Sequence, residues 1–411
     1  MKLTATYRFI ALLLTVIATL FTSQAFADIV VDWNIKAVDI VTDAKLGPPA
    51  ANRVLAIVQT AVYEATSAIS KRYPVSDLKL EVASGASVDA AIAAANRSTL
   101  LKLLPAQQGA IDAAYQAALA GIADGPAKSD GIAAGEKAAA AVFAWRANDE
   151  TIAAESYRPH TTAGVYVPTV IPAFPQWPAR KPWLMNSQAQ FRPGPPPKLS
   201  SELWARDFNE IKAMGAKTGS RRSAEQTEIA RFWEATGPSI YHGVVRSVAI
   251  MPGRDATQNA RLFAAVTQAS DDAIIAVLDA KYHYAFWRPI TAIRNGDTDG
   301  NDATDRDPAW LPFIDTPMHP EYPCAHCISA AAVGTVLRAE IGAGPMPVLS
   351  TSSPTAKGAT RSWTTIDAFI QEVSDARIYD GVHYRNSTEV GTAMGKQVGS
   401  MAAAKYLRAT K

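Results

Sequence analysis

TQNARLFAAVTQASDDAIIAVLDAKYHYAFWRP, residues 257–289, joins a long apolar periodicity to two cations. Leu262, Val266, Ala269, Ala273 and Val277 recur at three- and four-residue spacing, which predicts a helix over 257–280. Lys281 and Arg288 follow. Read as two further helical turns, their separation lets both face one side. The residues between them are aromatic, histidine or alanine, so partial burial of the pair is expected. Buried cations are rare unless paired, so these two meet either carboxylates or a bound anion.

The same period recurs on both sides. In 48–69, Val54, Val58, Ala61, Val62, Ala65 and Ile69 share a face behind a Pro-Pro start that suits a first helical turn. Residues 87–121 are alanine-rich and periodic, with a break near Pro105. Further helices are expected at 127–147, 200–215, 222–235, 326–341, 364–377 and 386–407. Strand-like alternation is scarce, and the expected fold is all-α, built of helical bundles. Residues 157–199 differ. Their proline density forces extended chain and turns. They also carry Phe174, Trp177, Trp183 and Phe191, which want burial. A loop wrapped around a helical body fits this composition better than a bare linker. The chain therefore divides into an N-terminal helical region (28–156), the proline-rich wrapping loop (157–199) and a second helical domain (200–411).

Residues 1–27 stand apart. Lys2 and Arg8 precede the apolar run FIALLLTVIATLF, and SQAFA ends at Ala27. This pattern predicts a secretory signal peptide cleaved near Ala27, with export to the periplasm or the exterior. The run has 13 residues, short of the ~18–20 that cross a bilayer. No membrane span is expected in the mature chain. The whole sequence carries 40 Lys+Arg against 38 Asp+Glu, and without Lys2 and Arg8 the two signs balance. Nothing global points to nucleic acid or to an anionic membrane surface, so any anion must be held by a local cluster.

Two more stretches supply that cluster. HPEYPCAHCISAAA, residues 319–332, places two histidines and the chain's only two cysteines ahead of a helix-forming run. RIYDGVHY, residues 377–384, ends a helix, turns at Gly381 and presents His383. Lys281, Arg288 and Arg377 suit a tetrahedral oxyanion of two to three negative charges. A helix opening near His326 adds N–H groups and its dipole. His326 and His383 remain to act on the central atom and to move a proton.

In order, the motifs read KYHYAFWRP, PCAH and ARIYDGVH. They resemble the KxxxxxxRP, PSGH and SRxxxxxH pattern of the superfamily of vanadium-dependent haloperoxidases and phosphatidic acid phosphatase type 2-like enzymes. HPEYP, GVHYR, PPAANRVLAIVQTAVYEA and FRPGPPP resemble its soluble haloperoxidase-type branch, and the likeness covers nearly all of 28–411. The resemblance implies an all-α fold with the site between helices. It implies that Lys281, Arg288 and Arg377 hold the equatorial oxygens of vanadate or phosphate. His383 would be the axial vanadium ligand or a phosphate-accepting nucleophile, and His326 the acid–base residue opposite. With three cations near, His326 should have a lowered pKa that a bound anion raises. By the same resemblance Asp272 is a candidate buried partner of Arg377.

Cys324 and Ala325 stand where the pattern has serine and glycine, and Ala376 stands where it has the serine before arginine. A thiol donates more weakly than a hydroxyl, and alanine keeps the N–H but adds a methyl. Both positions are expected beside the oxyanion. Cys324 and Cys327 can also form a short disulfide, since C-x-x-C at a helix start is a redox geometry. A thioredoxin-like enzyme lacks its strand–helix–strand context here. A zinc site of His319, His326 and the two cysteines would take His326 from the anion. His160 and His242 read as loop residues outside the site. Three functions follow. The first is a vanadate-dependent haloperoxidase using peroxide and halide. The second is an exported phosphatase acting on a phosphate ester with His383 and His326. The third is a non-catalytic binder of phosphate or vanadate.

Overall fold

The structure, a computed structural model, describes residues 28–73, 78–149 and 157–407. The expected signal peptide lies outside these residues. Among the described residues the chain forms thirteen α-helices and one short antiparallel hairpin, and no helix is long and apolar enough to cross a membrane.

The N-terminal bundle is built from α1 (Ile29–Asp43), α2 (Pro48–Ser70), α3 (Val88–Leu103), α4 (Gln108–Ala120) and α5 (Pro126–Trp145). Asp28 caps α1 by accepting the N–H groups of Val30 and Val31, each at 3.0 Å. Helices α2, α3 and α5 pack on one another. The second half contains α6 (Glu202–Met214), α7 (Ala224–Trp233), α8 (Pro238–Ala249), α9 (Ala256–Tyr284), α10 (Pro289–Arg294), α11 (Ala325–Ile341), α12 (Ile366–Tyr379) and α13 (Arg385–Tyr406). The hairpin pairs β1 (Leu349–Ser352) with β2 (Thr360–Trp363).

Helix α9 is the axle of the fold. It starts from a reciprocal capping box between Asp255 and Gln258 and is buried nearly all round, because α2, α11 and α13 all lie against it. Helices α11 and α13 approach closely. A Cβ at Gly395 would lie 2.2 Å from the Ile328 carbonyl oxygen, so only glycine permits this contact.

Periodicity alone misses four elements, of which the six-residue α10 is too short to show a repeat. Helix α1 is rich in β-branched residues, which favour strand. Helix α8 is short, and His242 lies inside it rather than in a loop. There His242 accepts a hydrogen bond from the Asn34 side chain at 2.8 Å, and burial pushes its pKa down to about 3. The hairpin spans four residues per strand, too few for alternation to register.

The segment from 157 onward runs over α9 and back. The Tyr166 N–H reaches the Ala285 carbonyl at 2.7 Å, and that of Ala173 reaches Met318 at 2.6 Å. Trp183 is buried, and its indole N–H donates to Asp271 at 2.7 Å. On the return, Arg192 forms a bidentate pair with Asp279 at 2.7 and 2.8 Å.

This path corrects the expected role of Asp272. The residue is fully buried on α9, but it does not pair with Arg377. Its carboxylate accepts the backbone N–H groups of Trp183, Leu184 and Met185 at 2.7, 2.8 and 3.0 Å. It therefore anchors the wrapping segment. Asp272→Ala leaves three N–H groups without their acceptor. At ~1–3 kcal/mol for an unsatisfied buried group, partly relieved by relaxation, stability should fall by about 3 kcal/mol. Urea unfolding monitored by tryptophan fluorescence measures this, and an unchanged midpoint would refute the anchor.

Candidate active site

Each of the three cations ends a different local structure. Lys281 sits in the last turn of α9 with no exposed surface. Its ammonium donates to the carbonyls of Pro320 at 3.1 Å and Glu321 at 2.7 Å, which leaves one of its three N–H bonds uncommitted. Burial first, then Arg288, pushes its pKa well below the usual lysine value.

Arg288 reaches the site by another route than the two-turn helical reading. Helix α9 stops at Tyr284, Ala285 takes a left-handed φ of 48°, and Phe286 bridges to Val165. Arg288 then caps α10 in extended conformation. Its guanidinium is spread over the carbonyls of His319 (2.8 Å) and Val382 (2.9 Å) and the Nδ1 of His319 (3.0 Å). It also stands 3.4 Å from Nε2 of His383.

Arg377 lies in the last turn of α12. It donates to the Trp233 carbonyl at 2.9 Å and to Asp380 at 2.5 Å, so Asp380 rather than Asp272 is its carboxylate. Its Nε is buried and has no partner among the described residues.

His383 follows the turn at Gly381, where φ is +80° and a Cβ would lie 2.4 Å from the Gly215 carbonyl oxygen. That position requires glycine on both counts. The His383 ring is 2% exposed. Its Nδ1 lies 2.8 Å from Oε1 of Glu321, which also accepts the Tyr384 N–H at 3.1 Å. Since Oε1 already accepts, Nδ1 carries the hydrogen and Nε2 the lone pair. Burial and then Arg288 hold His383 well below the ordinary histidine pKa, so the ring is neutral near pH 7.

His326 opens α11. Its Nε2 lies 3.1 Å from the Ala235 carbonyl, which in the neutral ring puts the hydrogen there and the lone pair on Nδ1. Burial and Arg377 hold its pKa well below the usual value. Cys324 departs from its expected role as an oxyanion donor. It is bonded to Cys327, with Cα atoms 5.4 Å apart, and has no S–H to donate. Its Sγ instead accepts the Cys327 N–H at 3.1 Å and caps α11. The bridge also removes both sulfurs from any zinc set.

Ala325, His319, His326, Arg377 and His383 line one cavity of about 270 Å³. His160 is exposed and stands apart. Of the three buried cations, Arg377 lines the cavity, Arg288 touches the lining residues His319 and His383, and Lys281 holds the Pro320 and Glu321 carbonyls beside them. Two buried carboxylates, Glu321 and Asp380, stand against them, each pushed up to about 7 chiefly by burial. With the unpartnered Nε of Arg377 and the spare N–H of Lys281, this cluster fits a bound oxyanion.

Three comparisons with known proteins bear on this geometry. Residues 261–411 match the family model described as the VCPO second helical-bundle domain. Over 155 residues the chain is 30% identical to the vanadium chloroperoxidase of Curvularia inaequalis. The chain is thus similar to vanadium haloperoxidases over part of its length. That match takes in 31% of this chain and 25% of the Curvularia protein, so it spans about a quarter of the curated relative's length. The fold agrees over more of the chain. The structure titled as the first bacterial vanadium-dependent iodoperoxidase superposes with a TM-score of 0.78 at 24% identity, covering 93% of this chain and 98% of that one. A holo-type bacterial vanadium-dependent chloroperoxidase gives 0.70 at 17% identity, covering 89% and 94%. The expected all-α haloperoxidase-type fold is therefore the observed one.

Three residues at the site were not singled out for these roles by sequence reasoning. Glu321 orients His383, Asp380 pairs with Arg377, and His319 braces Arg288. All three lie inside the quoted motifs, in HPEYP and RIYDGVH. The i, i+3 spacing of Arg377 and Asp380 near a helix end was a usable signal.

Proposed function

We propose that the chain is a vanadate-dependent haloperoxidase, oxidising halide with peroxide at a vanadate bound in this cavity. The observation that carries the reading is the orientation of His383. Glu321 engages Nδ1 at 2.8 Å, which turns Nε2 toward Arg288. Lys281, Arg288 and Arg377 would hold the vanadate oxygens, with His383 Nε2 as the protein's ligand to vanadium. The bound vanadate would act as a Lewis acid toward peroxide without changing its own oxidation state. The chain's part is to neutralise the anion's charge, to fix the His383 tautomer and to exchange a proton at Nδ1 of His326. Because Cys324 has no S–H, the first-turn N–H groups of α11 and the three cations carry the oxyanion alone.

Anion binding should take up protons. Lys281 and His326 have depressed pKa values in the free protein, and an arriving anion raises them. Glu321 and Asp380 move the same way, from values already near 7. Titrating sulfate, which carries no titrating proton of its own at pH 7, calorimetrically in buffers of different ionisation enthalpy should show net proton uptake. Proton release would contradict the assignment. For the activity itself, the purified chain loaded with orthovanadate should brominate an indicator dye when given bromide and peroxide. Hydrolysis of a phosphate ester without bromination would favour a phosphatase, and binding without either reaction a binder.

A further inference from the structure

The cavity is larger and more apolar than peroxide and halide require. A water molecule's share of liquid volume is about 30 Å³, so a space of about 270 Å³ exceeds what an oxyanion and one small co-substrate fill. Its charged and imidazole lining is His319, His326, Arg377 and His383. The rest is walled by Phe174, Tyr241, Ile274, Val277, Leu278 and Met318. Such a surface gains nothing from hydrated ions and favours a molecule with carbon to bury.

The wall is also held in place. Phe174 has φ of +62°, a conformation a bulky L residue rarely takes. Neighbouring contacts enforce it. The Ala173 N–H donates to Met318 at 2.6 Å, the Tyr282 hydroxyl donates to the Ala173 carbonyl at 2.5 Å, and the Phe174 ring packs edge-on against Trp177. Gly47 leaves room for that ring, since a Cβ there would lie 2.7 Å from its tip.

We propose that this apolar lining binds the carbon skeleton of an organic substrate, a small uncharged, electron-rich aromatic molecule, beside the oxyanion cluster. The inference rests on the haloperoxidase reading and gives it a substrate class. A molecule bound there is halogenated in place. One C–H bond becomes a carbon–halogen bond, and halide gives two electrons to peroxide. The displaced proton and one more from solvent complete two waters.

The test needs no vanadate. Phosphate, methylphosphonate and phenylphosphonate are titrated calorimetrically into the vanadate-free chain. The two phosphonates share a charged head, so they differ in what the apolar lining adds. Phenylphosphonate should bind at least about tenfold tighter than methylphosphonate. In Phe174→Gly, whose backbone suits glycine, that advantage should shrink while phosphate binds as before. Equal binding of the two phosphonates, with phosphate still bound, would overturn the organic site and leave the oxyanion cluster standing. Failure of phosphate to bind would overturn the cluster, and the proposal with it. The wild-type comparison decides even if the variant does not fold.

Discussion

His383→Ala should abolish vanadate-dependent bromination and weaken vanadate binding, by at least about 10²–10³-fold, the scale of removing one preorganised group from a buried site. The reason is geometric. His383 Nε2 stands 3.4 Å from Arg288, and Nδ1 is committed to Glu321 at 2.8 Å. Its place after the Gly381 turn cannot be refilled by a neighbour. His319 already braces Arg288 through Nδ1. Spectroscopic titration with vanadate and a bromination assay read the two effects separately. Activity retained in the variant would remove His383 from the site.

Glu321→Ala should have the second-largest effect. Removing the group that orients a metal-ligating histidine typically costs 10–100-fold in affinity or activity. Here the loss comes from freeing the His383 ring to rotate and change tautomer, and from leaving the Tyr384 N–H without its acceptor. Glu321→Gln keeps a carbonyl oxygen at the same position, so it should recover much of the loss. Long-range ¹H–¹⁵N spectra of the vanadate-free protein give a readout that mere destabilisation would not move. In the wild type, His383 should show the Nδ1–H tautomer; in Glu321→Ala, a mixture. An unchanged tautomer in the alanine variant would refute the positioning role.

The sequence displays the cations more clearly than the groups that position them. Lys281, Arg288, Arg377 and His383 stand at fixed separations along the chain, so their motif spacing survives in one dimension. Glu321 and Asp272 act across 62 and about 88 residues, and their partners are set only when α9, the wrapping segment and the α12–α13 turn pack together. Asp272 shows the limit well. Its burial on an apolar helix follows from periodicity, but which group meets it depends on the wrapping segment's path. Arg288 shows another limit, because a spacing of seven fits two helical turns as well as a helix end followed by extended chain. The long helices were visible because their apolar faces recur many times. Helix α8 and the hairpin repeat too little for that. The Cys324–Cys327 bridge was open from sequence, since C-x-x-C at a helix start serves a free thiol or a disulfide equally.

The most direct test of the central claim is a stoichiometric titration of the purified chain with orthovanadate, following vanadate bound and peroxide-dependent bromination on the same samples. Bromination should rise in step with bound vanadate, saturate at one equivalent and be lost in His383→Ala. One equivalent bound with no halide oxidation, beside phosphate-ester hydrolysis that vanadate inhibits, would contradict that claim.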